Sequence, residues 1–235
     1  MLSAENTSPE IGAAAPRVAV LAFCAIEQHG PHLPVGTDWL RAEAIARRLA
    51  EELDALLLPT MPYGCSREHM AFPGTVTLRP STLAAVLEDV VESLRAHGIR
   101  RVVVVSTHGG NWILKPTLRE INYRYPDIDL VWAGGRVPGE DAPPPEDIHA
   151  GEGETAALLH LRPDLVKGDW QSLDAPGTVG QEFLDYAGIE HLNPAGVWGR
   201  PSRATPEAGR DALEETVRAQ VAYVRWVFER LDREG

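Results

Sequence analysis

Short apolar runs mark the predicted strands of this chain. They consist mostly of valine, leucine and alanine and lie at Val18–Phe23, Leu56–Leu58, Arg101–Ser106 and Asp129–Trp132. A continuous apolar run of this length is typical of a strand that is buried on both faces of its sheet. The pattern therefore predicts strands in the interior of a sheet rather than at a solvated surface.

Apolar residues at intervals of three and four positions predict helices between these strands. The clearest helix begins near Pro80, carries an unbroken apolar stripe from Leu83 to Leu94, and ends at Gly98. Further helices are predicted within 39–53, 113–124, 152–161 and 207–231. Strands that alternate with helices indicate an α/β fold with a mostly parallel sheet covered on both faces.

The remaining segments set the predicted domain limits. Residues 1–16 are small, polar and rich in alanine, which predicts a flexible N-terminal tail. Residues 133–147 have no periodicity, and a loop of that length is usually functional or mobile. With no internal repeat and no linker, residues 17–235 are expected to form a single catalytic domain.

Composition narrows the classes of partner. The formal net charge of −12 argues against nucleic acid and anionic membranes, because both favour a basic surface. No apolar run is long enough to span a membrane, and no signal peptide is evident. The two cysteines, Cys24 and Cys65, do not indicate a disulfide framework. We therefore expect a cytoplasmic protein.

Three clusters of polar residues carry the candidate chemistry. The first comprises Glu27, His29 and Asp38, after the first predicted strand. The second contains His108 and follows the strand that ends at Ser106, and the third spans 149–155 at the start of a helix. Because parallel strands end at the same edge of a sheet, separate clusters can converge there.

Taken singly, each cluster has a simpler interpretation. A lone histidine after a strand is usually a hydrogen-bonded structural residue, and a glutamate at a helix start is favoured by the helix dipole. Together, three carboxylates and two imidazoles suit two divalent ions that share a bridging carboxylate. These residues are Glu27, His29, Asp38, His108 and Glu154.

The clusters resemble those of the creatininase family of metal-dependent amidohydrolases. The matching residues are Glu27-Gln-His-Gly-Pro-His-Leu-Pro34 with Thr37-Asp38, then His108-Gly-Gly-Asn111, then His149-Ala-Gly151 with Glu154-Thr155. The resemblance implies a three-layer α/β/α sandwich with two divalent ions per chain, zinc first and manganese or iron as alternatives. It also implies a homo-oligomer, often a hexamer, in which the 133–147 loop is a candidate contact.

The resemblance also implies residue roles. Glu27 and His108 would bind one ion, His29 the other, and Asp38 both. Glu154 would complete the second ion, with Glu152 as its rival in the same helical turn. His149 would be a catalytic proton shuttle, with a capping or ligand-orienting role as the alternative. Glu68, His69, Asn111 and Glu152 would orient ligands or contact the substrate, with simple loop packing as the alternative for Glu68 and His69.

Two departures from the creatinine-hydrolysing members bear on the substrate. Gly110 occupies the position where those members have a metal-binding glutamate, and residues 133–148 contain no aromatic residue to hold a flat ring. The expected reaction is hydrolysis of an amide or related C–N bond by a metal-activated water, in a small molecule or a short peptide. Alternatives are a peptidase that trims a mycofactocin-type precursor, a creatinine amidohydrolase and a non-catalytic metal-binding scaffold.

Overall fold

Five parallel strands form one sheet in the order β1-β3-β2-β4-β5. The computed structural model describes residues 1–135, 137, 147–177 and 179–234. The strands are β1 (Leu2–Ser3), β2 (Val18–Phe23), β3 (Leu56–Leu57), β4 (Arg101–Ser106) and β5 (Asp129–Trp132). The predicted bounds of β2, β4 and β5 are confirmed, and β3 is one residue shorter than predicted. Most of the predicted 133–147 loop lies outside the described residues.

Helices connect successive strands. They are α1 (Ser8–Ala14), α2 (Thr37–Glu52), α3 (Pro80–Ala96), α4 (Leu114–Arg124), α5 (Glu152–Leu161) and α6 (Pro206–Glu234). Short 3₁₀ helices occur at Arg67–His69, Pro163–Leu165, Trp170–Ser172, Gln181–Asp185, Ile189–His191 and Pro201–Arg203. Within the described residues, no helix has both the length and the hydropathy of a membrane span.

Helices cover both faces of the sheet. Alternate residues of β2 point to opposite faces, so Val20 packs with α2 and α6 while Leu21 packs with α3 and α4. Each face has its own buried cluster of aliphatic side chains. The predicted three-layer α/β/α sandwich is therefore confirmed.

The N-terminal segment differs from the predicted flexible tail. Leu2 and Ser3 pair in parallel with Leu56 and Leu57 and add a fifth strand at the edge of the sheet. Helix α1 follows, and Ile11 packs against the same apolar cluster as α3. A strand of two residues leaves no hydrophobic pattern in the sequence, and this one exists because β3 presents an open edge.

Candidate metal centre

The carboxyl ends of the strands bring the predicted ligands together. Glu27 and His29 lie in the turn after β2, and Asp38 lies in the first turn of α2. His108 follows β4, and Glu154 lies in the first turn of α5. Glu27, His29 and Asp38 are each no more than 1% exposed. The convergence predicted for separate clusters is thus present in the fold.

Glu27, Asp38 and His108 form one group of donors. The Nδ1 atom of His108 lies 3.1 Å from Oε1 of Glu27 and 3.5 Å from Oδ2 of Asp38. One ligand atom from each residue falls within 4.8 Å of the other two, a spacing that could hold a metal ion.

His29, Asp38 and Glu154 form a second group with the same spacing. The Nε2 atom of His29 lies 3.4 Å from Oε2 of Glu154 and 3.9 Å from Oδ1 of Asp38. Asp38 therefore belongs to both groups and directs one carboxylate oxygen toward each.

The buried atoms of the two groups lack ordinary partners. Among the described residues, both oxygens of Glu27, both oxygens of Asp38 and Nε2 of His29 have no hydrogen-bond partner of suitable geometry. An unpaired buried carboxylate is costly, and a coordinated cation removes that cost. Carboxylate oxygen and imidazole nitrogen are also the donors that zinc, manganese and iron accept. The residues therefore fit divalent metal ions.

Backbone carbonyls orient the imidazole rings. The Nε2 atom of His108 lies 2.7 Å from the Cys65 carbonyl oxygen, and Nδ1 of His29 lies 3.1 Å from that of Glu27. We assign the ring proton to these nitrogens because a carbonyl oxygen only accepts. In the neutral rings, this assignment leaves Nδ1 of His108 and Nε2 of His29 as lone-pair donors that face the carboxylates. Metal-binding histidines in proteins are held in this way.

The close carboxylates shift the pKa values of the imidazoles. Burial lowers the pKa of His108, but the carboxylates of Glu27, Asp38 and Glu68 together outweigh it and the pKa rises to about 10. Burial likewise lowers the pKa of His29, yet Glu154 and Asp38 raise it to about 9. Burial raises the pKa of the Asp38 carboxyl to about 7. Without a metal, protonated imidazole rings therefore balance the negative charge of the carboxylates, a role that a bound cation would otherwise fill.

Glu154, rather than Glu152, lies at the centre. The Oε2 atom of Glu154 accepts a 2.8 Å hydrogen bond from the Ala150 amide and faces His29, while Oε1 pairs with the Arg41 guanidinium. Glu152 belongs to neither donor group. Its backbone amide donates a hydrogen bond to the Asp147 carboxylate. Arg41 is absent from the predicted site, although its position one turn after Asp38 on α2 was a usable signal.

His149 lies between two other imidazoles beside the donor groups. Its ring centroid is 4.3 Å from those of His29 and His69. Its Nε2 atom is 2.7 Å from the Gln28 carbonyl oxygen, so Nδ1 faces Glu27 at 3.8 Å and Glu154 at 4.0 Å. Burial, reinforced by the neighbouring imidazoles, lowers the pKa of His149 to about 3. The ring is therefore neutral near pH 7.

Gln28 is a second residue that the sequence did not reveal. Its side-chain amide lies 2.9 Å from Nδ1 of His69 and 3.2 Å from the Gly196 carbonyl oxygen. Its side-chain oxygen accepts a 2.8 Å hydrogen bond from the Gly30 amide. Gln28 thus joins three loops at the centre, and its position inside the first motif was the only signal for it.

The predicted orienting residues occupy two kinds of position. His69 lies 3.5 Å from Oε1 of Glu27, and Glu68 lies 3.7 Å from Nε2 of His108. Asn111 is buried and spans two segments, donating to the Cys24 carbonyl oxygen at 3.1 Å and accepting from the Cys65 amide at 2.9 Å. Asn111 therefore links the backbone segments of Cys24 and Cys65.

Cys24 and Cys65 are both free, as predicted.

The cavity above the donor groups is small. Its volume is about 50 Å³, and Gln181 and Leu184 line it together with the acids. One water occupies about 30 Å³ in the liquid, so the cavity admits a water nucleophile.

Comparisons with known proteins agree with this geometry. The profile of the creatininase family, described as creatinine amidohydrolase, matches residues 4–224. The mycofactocin precursor peptide peptidase of Mycobacterium ulcerans is 32% identical over 234 residues, which cover 94% of this chain and 90% of that protein. The creatinine amidohydrolase of Pseudomonas putida is 34% identical over 234 residues, which cover 90% of each chain.

Solved structures share the whole architecture. A crystal structure of creatinine amidohydrolase aligns with a TM-score of 0.79 at 26% identity and covers 97% of this chain and 98% of that one. Two further creatininase structures, described as a Zn-Zn type and as a Mn form, align with TM-scores of 0.76 and 0.77. The sandwich and its cluster of acids and imidazoles are those of a metal-dependent amide hydrolase. The chain belongs to the creatininase family.

Proposed function

We propose that this chain hydrolyses an amide bond with two divalent ions. Glu27 and His108 would hold one ion, His29 and Glu154 the other, and Asp38 both. The observation that carries the proposal is the position of Asp38, whose two buried oxygens lack hydrogen-bond partners among the described residues and face separate donor groups. Zinc is the first ion to test, with manganese and iron next, because the aligned creatininases include forms described by zinc and manganese.

The protein would contribute orientation and proton transfer. A divalent ion held by these residues would lower the pKa of a coordinated water and polarise a carbonyl group. His149, whose Nδ1 faces the donor groups, would carry a proton from the attacking water to the leaving nitrogen. A neutral ring suits the first half of this task, because it must accept a proton before it donates one.

A second role for His149 has its own support. Glu27, His29 and His149 form a third group with ligand spacing, so His149 is also placed to bind a metal. The variant His149→Ala separates the roles. A proton shuttle predicts two ions per chain and a rate reduced by about 10²–10⁴-fold. Loss of an ion in the metal analysis would instead identify a ligand.

We propose a short peptide as the substrate, as in the precursor peptidases that the chain resembles. Sequence identity does not discriminate, since the creatinine amidohydrolase is as similar as the peptidases. Two features disfavour creatinine. The sequence from 133 to 148 contains no aromatic residue, and an added Cβ at Gly110 would lie 2.2 Å from the Cys65 carbonyl oxygen.

A competition assay tests this substrate. The metal-loaded protein is incubated with creatinine, simple formamides and a panel of peptides, and the products are identified by mass spectrometry. We expect cleavage of a peptide bond and little turnover of creatinine. Creatinine turnover equal to the best peptide would reverse the choice, and a lack of hydrolysis with zinc, manganese and iron would favour a non-catalytic scaffold.

We also propose a homo-oligomer, with a hexamer as the specific expectation. The proposal rests on the family resemblance. The predicted contact loop lies mostly outside the described residues, but Trp39 and Trp112 are 40% and 60% exposed near the site. Light scattering on the purified protein gives the mass directly, and a monomer at micromolar concentration would contradict the proposal.

A further inference from the structure

Arg41 is a partly buried cation in contact with the acids of the proposed second ion. Its side chain is 24% exposed, and its Nη1 atom pairs with Oε1 of Glu154 and lies 3.5 Å from Oδ1 of Asp38. Within the described part of the chain, no other lysine or arginine forms an ion pair with the carboxylates of Asp38 and Glu154. A cation at this distance either orients the ligands or competes with the metal.

The contacts of Glu154 favour orientation. Its two oxygens have different partners: Oε1 binds Arg41, while Oε2 accepts from the Ala150 amide and faces His29. Ala150 has a positive φ of 50°, a conformation that a residue with a side chain adopts only at a cost. The carboxylate is therefore fixed from both sides, with the metal-facing oxygen left toward the centre.

The surroundings of Gly110 explain why the orientation of the Glu154 carboxylate matters in this chain. An added Cβ there would lie 2.3 Å from Nε2 of His108 and 2.4 Å from Oε1 of Glu68. No side chain fits at Gly110, so a carboxylate for the second ion has to come from elsewhere. Glu154 supplies it from α5, across an interface with α2, and Arg41 is the residue that joins the two helices at that point.

We propose that Arg41 is a positioning residue that holds the Glu154 carboxylate for the ion shared with His29 and Asp38. The inference rests on the proposed two-ion function. Arg41 should affect one ion selectively. Its ion pairs are with Asp38 and Glu154, whereas Glu27 and His108 pair with each other.

Zinc titration of the chelator-stripped protein tests the role. Wild type should bind two ions per chain. The variant Arg41→Ala should bind one ion as before and the other about 10–100-fold more weakly, the usual effect of removing a group that orients a ligand. Arg41→Lys keeps the charge without the planar fork and should fall between the two. Arg47→Ala, an exposed arginine on the same helix, is the matched control and should leave both affinities unchanged.

A double variant identifies the route of the effect. If Arg41 acts through Glu154, then Arg41→Ala should add nothing to the loss caused by Glu154→Gln. Circular dichroism establishes folding, and Arg41→Gln provides a second neutral variant if Arg41→Ala does not fold.

Three results would overturn the proposal. Unchanged affinities in Arg41→Ala and Arg41→Gln would remove any role, and tighter binding would mean that Arg41 competes with the metal. An equal loss of both ions would point to Asp38 or to the fold rather than to Glu154. A wild-type protein that binds one ion would refute the two-ion function itself, and Glu154→Gln would then reveal whether that ion depends on Glu154.

Discussion

Asp38 faces two groups of donors because it begins a helix that points its first turn at the sheet edge. Its two oxygens reach His108 on one side and His29 on the other, and neither has a hydrogen-bond partner within the described part of the chain. At the scale of single residues, the centre is thus built from buried charges that the protein alone leaves incompletely paired. Such a site responds to protons and metals together.

Metal binding should release protons from the histidines. The pKa values of about 9 for His29 and about 10 for His108 keep both rings protonated at pH 8 in the stripped protein. A coordinating nitrogen must be unprotonated, so we expect about two protons to be released per chain at pH 8. The number should fall toward zero above pH 10. Calorimetry in buffers of different ionisation enthalpy measures it, and a release that does not vary with pH would contradict the assignment.

Gly110 should tolerate no side chain. In Gly110→Ala the new Cβ would lie 2.2 Å from the Cys65 carbonyl oxygen. This oxygen belongs to the backbone and cannot easily move away. We expect a loss of about 1–3 kcal/mol in the free energy of unfolding, with weaker metal binding through the displaced His108.

Gly12→Ala is the matched control for this substitution, because nothing lies within 4 Å of its added Cβ inside α1. It should gain about 0.5–1 kcal/mol. Urea unfolding compares the two variants, and equal stabilities would show that the space around Gly110 adjusts.

At the scale of elements, strands and helices differ in how far the sequence predicts them. The apolar runs of β2, β4 and β5 predict their observed bounds, because interior strands must be apolar on both faces. The edge strand β1 lacks this pattern, since its stability comes from hydrogen bonds to β3 rather than from its own side chains.

Removal of residues 1–16 tests the observed N-terminal elements. A flexible tail could be deleted without cost. Because Leu2 and Ile11 pack against the core, we expect a loss of about 1–3 kcal/mol in the free energy of unfolding. Urea denaturation of the shortened and full-length proteins gives the difference. Identical midpoints would restore the original prediction of a loose tail.

At the scale of the whole molecule, the proposed metal centre lies at the carboxyl ends of the parallel strands. Segments far apart in the sequence enter it, since Glu27 follows the second strand and Glu154 lies in the first turn of the fifth helix. Ions bound at the proposed centre would therefore tie together segments that are distant in the chain. Their removal should weaken the fold as a whole.

Chelation should lower the unfolding temperature. Each site stabilises the native state by about 2.7 kcal/mol when free zinc is 100 times its Kd. For a chain of this length, that corresponds to a shift of roughly 5–10 °C per site. Differential scanning calorimetry with and without a chelator measures the shift, and Asp38→Ala is the control because it should no longer respond. A wild-type midpoint that ignores chelator would mean that the ions do not support the fold.

The sequence by itself determined the class of fold, the family and the principal acids and histidines of the centre. Apolar periodicity specifies which elements form, and the polar clusters follow the strands at the edge where parallel sheets keep their sites. These are local signals, and each can be read within a few residues.

Only the tertiary structure decided which residues act together. The position of Glu154 beside His29, the contact between Arg41 and Glu154, and the hydrogen bonds from Gln28 to His69 and Gly196 all join segments that are far apart in sequence. The docking of β1 against β3 belongs to the same class. Such contacts depend on the distance between packed elements, and no local pattern of side chains encodes that distance.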